Sequence, residues 1–195
     1  MVLYKERLKK AVVGIAGLGG LGSTVAHALA RTNIGRLIIA DFDVIEQDNL
    51  NRQQYFTDQL SRAKVDATLE NLKRINPDIK IQPYKIKLTP ENIPEIFADA
   101  NVIVECFDRA DQKQMIVETV LNKMQNTVVI AASGLAGFGN SNTILTKRLS
   151  KRLILVGDNQ SDVELVGQLT AGRVWIAAAH QANAVVEVLI NEIID

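Results

Sequence analysis

Five glycines fall within nine residues in GIAGLGGLGS, from Gly14 to Gly22, and no other stretch limits the fold as tightly. The segment before them, AVVGIAG, is short, apolar and rich in β-branched residues, which predicts a buried strand. After them, from Ser23 to Asn33, Val25, Ala26, Leu29 and Ala30 recur at helical spacing. Gly17, Gly19 and Gly22 therefore set G-x-G-x-x-G at a strand-to-helix turn, with Gly20 inside it. Such a turn can seat a phosphate. Glycines let the backbone approach an anion, and the helix end offers unpaired N–H groups and partial positive charge. A glycine turn without a ligand has the same pattern, so the next strand carries the decision. RLIIADFD places Asp41 19 positions beyond Gly22, where an acid ending the second strand holds a ribose hydroxyl. The pair reads as a nucleotide site.

The rest of the chain continues the alternation. A helix is expected from Asp58 to Asn76, with Val65, Leu69, Leu72 and Ile75 on its buried face and Pro77 stopping it. Ile79, Ile81 and Ile86 suggest a third strand, which Pro83 confines to an edge or bulge. Glu91 to Ala98 reads as a short helix, NVIVECFD as a strand, Ala110 to Met124 as a helix and TVVIAASG as another strand. TILTKRL and RLILVGD follow as two short strands, then a polar stretch with Gly157, Gly167 and Gly172. VWIAAAHQANAVVEVLINEI closes as a long helix, with Ala178, Ala182, Val185, Val186 and Leu189 inward.

This order predicts an α/β fold: a Rossmann-like, doubly wound, mostly parallel sheet with a C-terminal antiparallel strand pair and a long closing helix. At 195 residues, with no internal repeat or low-complexity linker, it reads as one domain. Ligands in such sheets sit beyond the carboxyl ends of the strands, and Gly17, Asp41, Asp108 and Ser133 all fall there.

Charge and cysteine content narrow the chemistry. Acidic and basic residues cancel, 22 against 22, so no global basic field points to nucleic acid or an anionic membrane. No apolar run is long enough for a membrane span, and MVLYKERLKKAVVG lacks the apolar core of a secretory signal. The expectation is a cytoplasmic protein. A single cysteine, Cys106, rules out a cysteine zinc site within one chain, and inside an apolar strand it reads as packing. His27 and His180 have no spaced partners and receive no role, while Trp175 reads as packing.

GLGGLG, DFDVIEQDNLNRQ, Lys64, ECFD and GRVWIAAAHQAN together resemble the ThiF/MoeB/E1 superfamily, from about Lys10 onward. The block from DFD to NLNRQ is the most specific part, since dehydrogenases have no counterpart to it, and the compact length with ASGLAGFGNSN resembles the ThiF-type proteins of bacterial thiamine synthesis. The resemblance implies ATP-dependent adenylation of the C-terminal glycine of a ubiquitin-like sulfur-carrier protein ending in Gly-Gly. It implies that Gly17, Gly19, Gly20 and Gly22 line the phosphates, Asp41 binds ribose, and Asn49 and Gln53 frame the nucleotide. Arg52 and Lys64 would grip the phosphates, and Asp108 would organise Mg²⁺. It further implies a homodimer, with Arg7 as candidate for an arginine lent across the interface. The closing helix, apolar over more than one face, calls for cover on both sides.

These residue types suit that reaction. The attacking carboxylate is already ionised at neutral pH, so no general base is needed. Catalysis then comes from positioning and from positive charge aimed at the phosphates. Asp43 is open between a second ligand group and a turn cap, and Asp108 has a helix cap as its rival role. Family members usually carry Asn after the Mg²⁺ aspartate and Arg five positions on; here Arg109 and Lys113 stand there, keeping charge without the fork geometry. A structural zinc and a later acceptor cysteine are both missing from the pattern. The alternatives are an NAD- or FAD-binding oxidoreductase, a pseudo-enzyme that binds a ubiquitin-like partner, or a relative that activates a tRNA base. The first leaves NLNRQ, Lys64 and Asp108 unexplained.

Overall fold

The computed structural model describes residues 2–161 and 167–191. Helix α1 (Val2–Lys10) leads into β1 (Val12–Ala16), α2 (Gly20–Arg31) and β2 (Arg36–Asp41). There follow α3 (Lys64–Ile75), β3 (Lys80–Lys85), the single turn α4 (Ile93–Ile96), β4 (Val102–Glu105), α5 (Ala110–Lys123) and β5 (Val128–Ala132). Strands β6 (Leu145–Ser150) and β7 (Leu153–Gly157) precede the long helix α6 (Ala171–Asn191). The strands form one seven-stranded sheet in the order β3-β2-β1-β4-β5-β7-β6. All neighbours run parallel except β6 and β7, which pair antiparallel with an irregularity between Arg148 and Ser150. The expected doubly wound sheet and closing antiparallel pair are both present.

The order follows from the connections. From β1 the chain winds outward through β2 to β3, then crosses back to lay β4 on the other flank of β1. The strand order reverses there, and in open α/β sheets that reversal opens a crevice at the carboxyl ends. Two apolar layers sandwich the sheet. Val25, Leu29, Leu72, Val185 and Leu189 pack one face through α2, α3 and α6. Ile93, Phe97, Ile116 and Val120 pack the other through α4 and α5. Gly14 lies under the second layer, where a Cβ would come within 2.6 Å of the Phe97 ring.

Several boundaries differ from the sequence reading. The third helix starts at Lys64 rather than Asp58, because residues 57–59 form a 3-10 turn, residues 60–62 turn again with Ser61 at φ +65°, and Ala63 is extended. That stretch pairs backward: the Ile45 N–H donates to Arg62 O and the Lys64 N–H to Asp43 O. Helices α2 and α6 each begin three residues earlier than expected, at Gly20 and Ala171. The expected last residues of α6, Glu192 and Ile193, lie outside the described residues. Pro83 sits in the edge strand β3, as its missing donor requires.

The largest correction concerns cover for α6. Its apolar sides are met within the chain by α1, α2 and the sheet, so the helix itself gives no reason for a dimer. Helix α1 contributes Leu8, which is fully buried in that layer. The Arg7 guanidinium donates to the Ile190 carbonyl of the same chain, so it is occupied at home.

Candidate active site

The glycine turn is shaped by close approaches. Gly17 has φ +91°, a conformation that suits glycine, and its N–H donates to Ala40 O at 2.9 Å. A Cβ at Gly22 would stand 1.9 Å from Gly17 O, so the turn curls onto itself only because neither residue has a side chain. Leu18 is held from both sides. Its N–H donates to Asp41 Oδ2 at 2.6 Å, and its carbonyl accepts from the Tyr55 hydroxyl at 2.8 Å. Ser23 ties the turn to the NLNRQ segment, its Oγ accepting from the Gln54 N–H at 3.0 Å. The first N–H groups of α2 are left without intrahelical acceptors, as at any helix start.

Asp41 is 8% exposed and ends β2 under this turn. Burial raises its pKa above the ordinary carboxylate value, while Lys64 and the N–H groups of Asp43 and Leu18 work the other way. Lys64 opens α3 and is buried, and its Nζ lies 2.9 Å from Asp43 Oδ2. The open choice for Asp43 is thereby answered: its carboxylate is the counter-ion of Lys64, and its backbone N–H bonds Asp41 Oδ1 at 2.8 Å.

A cleft of about 920 Å³ lies over the carboxyl ends of the strands, lined by Gly17, Gly19, Gly20, Asp41, Arg52, Gln53, Lys64, Asp108 and Ser133. That volume is within the range of small-molecule sites. Two expected members are not in its lining. Gly22 lies beneath the turn, and the Asn49 side chain closes its own loop by accepting from the Glu46 N–H at 3.1 Å. Arg52 reaches the cleft with its guanidinium turned onto its own loop, donating to Asp48 O at 3.1 Å and Asn51 Oδ1 at 2.8 Å. Gln53 is buried, and its Oε1 has no partner among the described residues. Asp108 is exposed at the cleft edge, and among the described residues no hydrogen bond reaches its carboxylate. Arg109 forms a two-point pair with Asp111, at 3.0 and 2.9 Å.

Glu105 escaped the sequence reading. It is fully buried in β4, where its Oε1 accepts from the Phe107 N–H at 2.6 Å and its Oε2 from the Ala132 N–H at 3.2 Å. Lys113 Nζ completes the set at 3.0 and 3.2 Å. Lys113, which also lines the cleft, thus ties α5 to the buried end of β4. An acid within the apolar run VIVEC was the available signal, since a buried carboxylate requires a partner. Gln181, buried midway along α6, donates to Glu105 O at 3.0 Å and pins the same strand end. Cys106 packs beside it, and burial pushes its thiol well above the usual range. Among the described residues no group of three or more His, Cys, Asp or Glu side chains could hold a metal ion on its own. Nor is any described helix long and apolar enough to cross a membrane.

A parallel sheet with this strand order, a glycine turn at its first crossover and a cleft at its reversal point defines a Rossmann-like α/β protein. More narrowly, a family model described as the ThiF family matches residues 3–191, and the chain belongs to that family. The sulfur carrier protein ThiS adenylyltransferase of Escherichia coli K12 is 35% identical over 143 residues, covering 73% of this chain and 56% of that protein. The adenylyltransferase and sulfurtransferase UBA4 of Candida glabrata is 35% identical over 139 residues, covering 71% of this chain and 32% of that protein. The chain thus spans from about a third to about half the length of these two relatives. Among solved structures, E. coli tRNA N6-threonylcarbamoyladenosine dehydratase, TcdA, in complex with AMP superposes with a TM-score of 0.83 at 19% identity, covering 95% of this chain and 88% of that one. E. coli MccB with ATP gives a TM-score of 0.76 at 22% identity, covering 96% and 59%. Both are likenesses of fold.

Proposed function

We propose that the chain is an ATP-dependent adenylyltransferase whose substrate is the C-terminal glycine carboxylate of a ubiquitin-like sulfur carrier. One observation carries the reading: the glycine turn, Asp41, Arg52, Lys64 and Asp108, which the resemblance names for the nucleotide, line one cleft. The names of the relatives support the same chemistry. A carboxylate oxygen attacks the α-phosphorus, the bond to the bridging oxygen breaks, and pyrophosphate leaves. No proton has to move at the nucleophile. The task of the protein is to bring two anions together, which needs fixed positive charge and alignment. Lys64 supplies charge on a rigid helix start, Arg52 a planar fork, and the first turn of α2 backbone donors. Mg²⁺ bound with the triphosphate would neutralise phosphate oxygens, and Asp108, a hard oxygen ligand with no competing donor, fits its retention.

The finer assignments extend this reading. The chain acts as one domain, as a homodimer in the cytoplasm, on a ThiS-like carrier of thiamine synthesis. Carrier-dependent exchange of labelled pyrophosphate into ATP tests the activity, using a panel of small proteins ending in Gly-Gly. Exchange with one of them is expected, whereas NAD binding by calorimetry with no response to ATP would remove the adenylation reading. A second reading, the same activation with a tRNA base as acceptor, draws on the fold likeness that covers 88% of the TcdA chain. Exchange stimulated by tRNA and by no carrier would select it.

A further inference from the structure

Arg173, Val174 and Trp175 follow one another in the first turn of α6, so their side chains leave the helix about 100° apart. Each meets a different part of the molecule. Arg173 is buried, donates to Gly139 O at 2.9 Å and Asn140 O at 3.2 Å, and pairs with Asp158 just beyond β7. Val174 packs on the glycine turn, where a Cβ at Gly20 would come within 2.9 Å of its Cγ1. Trp175 is 42% exposed, and its indole N–H donates to the backbone carbonyl of Arg52 at 2.9 Å. The Arg52 stem lies over the same glycine, its Cγ 3.4 Å from where that Cβ would stand.

Arg52 is therefore tied down at one end and releasable at the other. Its carbonyl is anchored to a long helix, while its guanidinium bonds acceptors of its own loop, Asp48 O and Asn51 Oδ1. We infer that Trp175 is a positioning residue: its indole N–H fixes the Arg52 backbone over the glycine turn, so the guanidinium can swing onto the phosphates of a nucleoside triphosphate without the loop moving. This rests on the nucleotide reading given above. A half-exposed indole has water available for its N–H, so packing alone would not require the carbonyl contact. The bond also spans 123 positions of sequence and joins the closing helix to the motif loop.

The test is a double-mutant cycle read by isothermal titration calorimetry with MgATP, on the wild-type chain, Trp175→Phe, Arg52→Ala and the double variant. Phenylalanine keeps a ring at the site and removes the donor. Loss of one hydrogen bond that aligns Arg52 should weaken ATP by about fivefold. In the Arg52→Ala background the same change should weaken it by less than about twofold, because the coupling runs through Arg52. Equal weakening in both backgrounds would overturn the inference and leave the ring a packing group. Unchanged affinity in Trp175→Phe would also overturn it while leaving the nucleotide reading intact. A wild-type chain that binds no ATP would overturn both.

Discussion

Asp108 and His27 show how differently two titratable side chains on one molecule can behave. Asp108 is exposed at the cleft edge, with no hydrogen bond to its carboxylate among the described residues, so Asp108→Asn should leave folding nearly unchanged. If the carboxylate holds Mg²⁺, carrier-dependent exchange should fall by at least about a hundredfold, the usual cost of one preorganised electrostatic contact. A variant that melts early but still exchanges would mean that Asp108 serves the fold and not the metal. His27 lies partly buried in α2, and burial, aided by Arg31, lowers its pKa from 6.5 to about 4. Below pH 6.5 the unfolded chain takes up a proton that the folded chain refuses. Stability is therefore complete above that value and is lost as pH falls toward 4. The loss is at most about 3 kcal/mol, and less after solvent screening. Thermal melts at pH 7.5 and 4.5 should show a smaller difference for His27→Gln than for the parent.

The junction of β4 and α5 makes a prediction about paired elements. Glu105 is fully buried and Lys113 is its charged partner, so Lys113→Met leaves a carboxylate uncompensated in the core. Breaking such a pair costs about 3 kcal/mol, or roughly 6–12 °C in Tm for a chain of this size. Adding Glu105→Gln should recover part of the loss, because the charge is removed and the amide carbonyl accepts one of the two backbone N–H groups, while its NH2 faces the other. Calorimetric melts of the two variants decide it. At this scale the sequence was informative where apolar runs were long and unbroken: β1, β2, β4 and β5 all lie within the segments read as strands. Helix α1 is hard to read from sequence because its second half is charged around Leu8, the one buried side chain among its described ones, and one anchor makes no period. The start of α3 was misjudged because residues 58–63 are polar enough for a helix face, yet pair backward with residues 43–45. Motif spacing is enough to draw Gly17, Asp41, Arg52, Lys64 and Asp108 together, and all five line the cleft. It could not tell which side of a turn faces inward, so Gly22 and Asn49 were assigned to a lining they do not join.

Taken as a whole, the molecule buries most of its closing helix and leaves other apolar groups outside, among them Phe42, Val44 and Phe56, and Phe138, Leu145 and Leu149 around the edge strand β6. The proposed homodimer has these surfaces to use, and sedimentation equilibrium at micromolar concentration should return twice the chain mass. A monomeric mass would remove it. The strand order has a further consequence, in time rather than in space. The cleft is bordered by Gly17 near one end of the sequence and Val174 near the other, and β1 must meet β4 before there is a reversal point at all. Such distant pairings close late and slowly in folding. A ligand of the cleft has nothing to hold until the sheet is complete, so it cannot hasten the search. Stopped-flow refolding with saturating nucleotide should keep the rate of the ligand-free chain, while unfolding in denaturant slows in proportion to occupancy. The nucleotide would act as a lock on a door already shut.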